Sequence, residues 1–245
     1  MVLRKFWQRS NGEYQVPPVR VILITLGSLL SFDAFAAAVA TGNEKVAMST
    51  HLAQVDANSS MPGIAEDLAP DELIRTTGEL LLDDIRQNRS AYEADSRELF
   101  AKVREWVFPH FDFQRISRYV LGSAWKEASE ELQQRFTQEF STLMLHTYGS
   151  ALMAFQDQRV EYLPYDAKES ATRATVKILV HDKEGSAIPI DYLLANVAGQ
   201  WKVLDVKIDG ISLVKTYRSE YGSIVKREGI PELITALEER NRRNL

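Results

Sequence analysis

Cysteine is absent from this 245-residue chain, which excludes disulfides, thiolate nucleophiles and cysteine-ligated metals together. That absence leaves the compartment open, because larger exported domains often fold without disulfides. Histidine is scarce. His51, His110, His146 and His181 show no H-x-H or H-x-x-x-H spacing, so the usual histidine metal sites are excluded as well. Twelve glycines and eight prolines are too few for low-complexity linkers, and no internal repeat is present. There is no G-x-S-x-G, no phosphate-binding glycine loop and no G-x-G-x-x-G. Carboxylate pairs such as Asp83-Asp84 and Glu238-Glu239 fall on helix faces that read as solvated. His110 and Asp112 stand two apart near a helix break, where an exposed loop pair is commoner than a catalytic dyad. No credible catalytic constellation emerges.

Positive charge is also in deficit. The formal total is −5, and residues 1–36 contribute +2 through Arg4, Lys5, Arg9 and Arg20 against Glu13 and Asp33, which leaves −7 elsewhere. An acidic body lacks the basic face that nucleic acid requires. It also argues against simple electrostatic docking on anionic membranes. The hydrophobic fraction of 45% and charged fraction of 26% are those of a folded protein.

The N-terminus carries an address. Residues 1–20 are basic and polar, Val21 to Phe32 are almost wholly apolar, and Ala34-Phe35-Ala36 fits a signal-peptidase site. The apolar run is shorter than the roughly 20 residues a membrane span needs. Residues 1–36 are therefore expected to be a secretory leader, with an uncleaved signal anchor as the alternative. Residues 37–69 are rich in Ala, Ser, Asn and Thr without sustained period, and read as a polar lead-in to a folded domain over 70–245.

Within that domain the period is helical at first. A helix is expected from Pro70 with Leu73, Leu80, Leu81 and Ile85 on one face, and a second over Ser90 to Phe108. A short helix follows Asp112 and ends at Gly122, and the longest begins after Ser129. The period then changes to two. Strands are expected at Arg159 to Pro164, at Ala171 to His181, along Ile188 to Leu194, and along Leu204 to Ile208. Turns at Asp182 to Gly185 and Ala198-Gly199-Gln200 imply an antiparallel meander with one wet and one dry side. The dry face gathers Val176, Ile178, Val180, Ile190, Tyr192, Leu194, Leu204, Val206 and Ile208. Helical period returns after Gly210, and Pro231 opens a last helix. Helices, then strands, then helices make an α+β fold. Periodicity alone does not distinguish a filled core from a cavity.

Two segments carry a resemblance. Val103-Arg104-Glu105-Trp106-Val107-Phe108-Pro109-His110-Phe111-Asp112-Phe113 is followed by Ile116-Ser117-Arg118-Tyr119-Val120-Leu121-Gly122 and Trp125. Trp201-Lys202-Val203-Leu204-Asp205-Val206 is followed by Ile208, by Gly210-Ile211-Ser212-Leu213 and by Tyr217-Arg218. With Tyr148-Gly149-Ser150-Ala151-Leu152 between them, and in this order, they resemble the toluene-tolerance family. Its members are periplasmic phospholipid-binding components of the Mla (maintenance of lipid asymmetry) pathway.

The resemblance implies a curved antiparallel sheet of about four strands that, with the helices, encloses an apolar pocket for acyl chains. Strand alternation combined with it names Val120, Tyr148, Leu152, Val176, Ile178, Ile190, Tyr192, Leu204 and Val206 as pocket wall. It implies a carrier without catalysis or cofactor, whose cargo is phospholipid and whose home is the periplasm. The implied partners are an inner-membrane MCE-domain ABC transporter and an outer-membrane lipoprotein–porin complex, and a monomer is expected of such a shuttle. Two competing classes are an exported interaction protein with a solid core and an exported enzyme using Asp191 or His181. Alternation puts both of those residues opposite the lipid wall.

Overall fold

The computed structural model describes residues 68–153, 155, 158–165, 172–181 and 185–243. The expected leader (1–36), the lead-in (37–69) apart from its last two residues, and the hairpin tip (182–184) lie outside the described residues.

Helix α1 (Pro70–Gln87) starts with proline where the missing N–H costs nothing, and has Asp71 and Glu72 in its first turn. Leu73, Thr77, Leu81 and Ile85 form its buried stripe. Leu80, expected inside, is 38% exposed. The single helix expected from Ser90 to Phe108 is two, α2 (Arg89–Ala94) and α3 (Ser96–Trp106). Asp95 makes the break. Its backbone is extended and its carboxylate accepts from Arg97 N–H at 3.0 Å, so local capping outcompetes a continuous helix. A 3-10 turn (Phe108–His110) leads to α4 (Phe113–Leu121), capped by Asp112 and ended by Gly122 at φ 61°. The four-residue α5 (Ala124–Glu127) precedes α6 (Glu130–Met153), whose first turn Ser129 caps through Leu132 N–H at 3.3 Å.

The sheet is a meander of five strands, β1 (Arg159–Tyr162), β2 (Arg173–His181), β3 (Ala187–Val197), β4 (Gln200–Ile208) and β5 (Ile211–Ser212), all antiparallel in sequence order. Positive φ at Ala198 and Gly199, and again at Asp209 and Gly210, suits the two tight turns that reverse the chain. The second turn creates β5, a strand too short to leave a period in the sequence. Helix α7 (Leu213–Glu228) and helix α8 (Ile230–Arg243) complete the chain.

Apolar side chains collect in three clusters. One joins α4 to α8, with Phe136, Phe140, Leu233 and Ile234 at its centre. A second lies among α1, α2, α3 and α6. The third joins Leu73 of α1 to Ala174, Val176, Leu194 and Val203 of the sheet. Phe111 packs against both the first and the third.

Candidate functional site

Register assigns the faces of the sheet. Val176 pairs with Tyr192, Ile178 with Ile190, Tyr192 with Val206 and Ile190 with Ile208, so these six residues share one face. Tyr162 of β1 joins them opposite Ile178. Two elements flank this inner face. Helix α1 approaches the β1–β2 side, where Arg75 lies 4.4 Å from the centre of the Tyr162 ring. Gly78 allows the approach, since a Cβ there would lie 3.1 Å from the Tyr162 hydroxyl. On the β4 side, Phe111 forms a bridge with Val203, and Asp112 N–H donates to Val203 O at 3.1 Å.

The expectation fails at one strand position. The pairing steps from Leu193–Asp205 to Leu194–Val203 and leaves Leu204 without a cross-strand partner. This bulge returns the inner face to Val203, which is fully buried, while Leu204 is half-buried. Asp205, expected on a wet face, is 9% exposed because the start of α7 covers it. Its Oδ2 accepts from Ser212 Oγ at 2.6 Å and its Oδ1 from Val214 N–H at 3.1 Å.

The nine expected residues therefore do not form one lining. Val176, Ile178, Ile190, Tyr192 and Val206 stand together on the sheet. Val120 lies in the filled α4–α8 cluster, Leu152 packs against the α1–α3 cluster, and Tyr148 is linked to Tyr217. Sequence reasoning missed Leu73, Ala174 and Val203 as the floor of the sheet cluster. For Val203 the signal was present, since Val203-Leu204 is an apolar doublet inside an alternating strand.

Tyr192 defines the character of this face. Burial pushes its hydroxyl up to about 12. The same residue is only half-buried by accessible surface, as are Ile190, Val206 and Ile208. On the same face Val176 and Ile178 are buried, and Tyr192 and Val206 pack against the cluster of Leu73, Ala174, Leu194 and Val203.

A second polar feature lies among the helices. Tyr148 and Tyr217 share a side-chain hydrogen bond, and burial raises both. Glu220 beside them is pushed up to about 7, chiefly by burial and against the opposing pull of Arg240. A folded-state value above the ordinary carboxylate range means that folding takes up a proton between about 4.3 and 7. Stability should therefore be greatest below that window and fall as pH rises to 7, by about 1 to 2 kcal/mol after screening at a partly exposed site. Denaturation of Glu220→Gln across this range should show a flatter profile than the parent; identical slopes would contradict the assignment.

The remaining polar candidates have structural roles. Asp112 accepts from Arg115 N–H at 2.9 Å and pairs with Arg115 Nε at 3.1 Å, while burial and Lys202 push His110 down to about 4. His181 lies 2.9 Å from Glu161 on the outer face of the sheet. Among the described residues no group of His, Asp or Glu could hold a metal ion, and no helix is long and apolar enough to cross a membrane. A cleft of about 440 Å³ between α4 and α6, lined by Gln114, Trp125, Gln133 and Gln138 among others, contains none of the nine expected residues.

Comparison with known proteins agrees with this architecture. The sequence profile of the MlaC protein family matches residues 75–239. The toluene tolerance protein ttg2D of Pseudomonas putida is 27% identical over 161 residues, covering 65% of this chain and 74% of that protein. The intermembrane phospholipid transport system binding protein MlaC of Haemophilus influenzae is 26% identical over 178 residues, covering 71% and 82%. A phospholipid-binding protein from Ralstonia solanacearum, solved in complex with a phospholipid, superposes with a TM-score of 0.66 at 28% identity. The alignment covers 74% of this chain and 99% of that one.

Proposed function

Because the chain belongs to the MlaC protein family, we propose that it is a periplasmic phospholipid carrier that shields acyl chains on the inner face of its sheet. The observation that carries this reading is the set of apolar side chains Val176, Ile178, Ile190, Tyr192 and Val206 on one face of the sheet, three of them still half-exposed. The acyl chains lie against Val176, Ile178, Ile190, Tyr192 and Val206. Leu204, Tyr148 and Leu152 stand at the margins, and Val120 backs them in the helical layer. The likeness to a structure holding a phospholipid supports the class of cargo. Residues 1–36 act as the export signal and residues 37–69 as its polar sequel.

The energetics favour a carrier without chemistry. Two acyl chains contain roughly 30 methylenes, each costing about 0.8 kcal/mol in water, so free lipid does not cross an aqueous gap at a useful rate. A bilayer and a dry pocket are both apolar, and exchange between them is close to balanced. Loading and release then fall to membrane complexes that open the pocket: an inner-membrane MCE-domain ABC transporter and an outer-membrane lipoprotein–porin complex. The shuttle itself works as a monomer.

Native mass spectrometry of the protein purified from its own cells without detergent tests this reading. A stoichiometric mass excess that extracts as diacyl phospholipid is expected. A bare polypeptide that also takes up no phospholipid from vesicles would return the solid-core interaction protein as the better account.

A further inference from the structure

The acidic total of the chain conceals a face of opposite sign. Helix α4 turns Ile116, Val120 and Leu121 inward and leaves Arg115, Arg118 and Tyr119 exposed. Helix α7, packed beside it, turns Val214, Tyr217 and Tyr221 inward and leaves Lys215 and Arg218 exposed. Neither stretch, 113–121 or 211–219, contains a carboxylate. Arg115 is paired with Asp112 at 3.1 Å. Among the described residues Arg118, Lys215 and Arg218 have no ion-pair partner. Arg218 instead donates to the Tyr119 carbonyl and lies 4.7 Å from the centre of the Tyr119 ring, which ties the two helices into one surface. On it, the Tyr119 side chain is 45% exposed.

We propose that this α4–α7 face docks the protein on the surface of an anionic phospholipid bilayer. Unpaired Arg and Lys meet lipid phosphates, and a tyrosine ring suits the headgroup level. The net charge of the body does not oppose this. Screening over about 10 Å at 0.1 M salt means that a face pressed on a membrane is governed by its own charges. Its charged residues stand on α4 and α7 and not among the inner-face residues of the sheet, so docking and cargo binding are separable.

The test is flotation of the natively processed protein with vesicles of phosphatidylcholine alone or with roughly one part in three phosphatidylglycerol. The parent should partition about tenfold or more in favour of the anionic vesicles, and high salt should abolish the preference. Arg118→Glu with Lys215→Glu should lose that preference, and Tyr119→Ser should lose about threefold. Arg118→Gln with Lys215→Gln repeats the test without charge reversal, should the first pair perturb folding. Arg242→Glu with Arg243→Glu, at the exposed end of α8, makes the same charge change elsewhere and should have under about a twofold effect. The extracted lipid of every variant should match the parent, which separates lost docking from a failed carrier. Equal losses in the α8 variant, an unchanged α4–α7 variant, or no preference for anionic vesicles would each overturn the proposal.

Discussion

Val206→Asp should empty the protein of lipid while leaving it folded. Val206 pairs with Tyr192 on the inner face and packs at the margin of the sheet cluster while remaining half-buried, so a carboxylate there keeps some contact with water. It does stand against the proposed cargo. An unpaired charge against hydrocarbon costs about 3 kcal/mol, which corresponds to roughly a hundredfold loss of occupancy at 1.4 kcal/mol per decade. Part of that cost is relieved if the group takes up a proton, so the loss should be greater at high pH than at low. Val206→Thr, nearly isosteric and uncharged, should cost far less. Extracted phospholipid per mole of protein, read beside the thermal midpoint, checks both. Full occupancy in Val206→Asp would remove the inner face from the binding site.

The second large effect concerns stability alone. Asp205→Ala should destabilise the fold by about 3 kcal/mol, because it removes two hydrogen bonds to a buried charge and leaves Ser212 Oγ and Val214 N–H without that acceptor. It also removes an anion from the N-terminus of α7. At about 2 to 4 °C per kcal/mol for a domain of this size, the midpoint should fall by roughly 10 °C. Asp205→Asn keeps the shape and should lose less. A shift under about 1 kcal/mol would mean that β5 and α7 are anchored elsewhere. This contact also gives the motif from Trp201 to Leu213 a physical meaning, since its Asp and Ser position a helix and need not touch a ligand.

These particulars show which layers of the molecule can be read from its sequence. The helices were legible from period and caps: Pro70, Asp112, Gly122 and Ser129 all act where their chemistry places them. The meander was legible from alternation and from Ala198-Gly199. What escaped detection was set by single residues acting against a uniform pattern. Asp95 divides a helix whose apolar period runs through it. Leu204 inserts one residue into β4, and being apolar it leaves the composition unchanged while shifting the face of all that precedes it. The shared face of Val176, Ile178, Ile190 and Tyr192 was legible from alternation because the pairing there is regular. Val120 and Leu152 were named with them, yet they pack into separate helical clusters, since helical period shows that a residue faces inward but not which interior it faces. The basic face was invisible for a related reason: net charge averages over surfaces that only folding separates.

The most direct test of the central claim exploits two neighbours on β3. Asp191 and Tyr192 are both half-buried, but they point to opposite faces of the sheet. A photoreactive phenylalanine analogue placed at each position, and irradiated in living cells, reports what each face touches. The account predicts a phospholipid adduct at Tyr192 and none at Asp191. Adducts of equal yield at both, or at Asp191 alone, would contradict it.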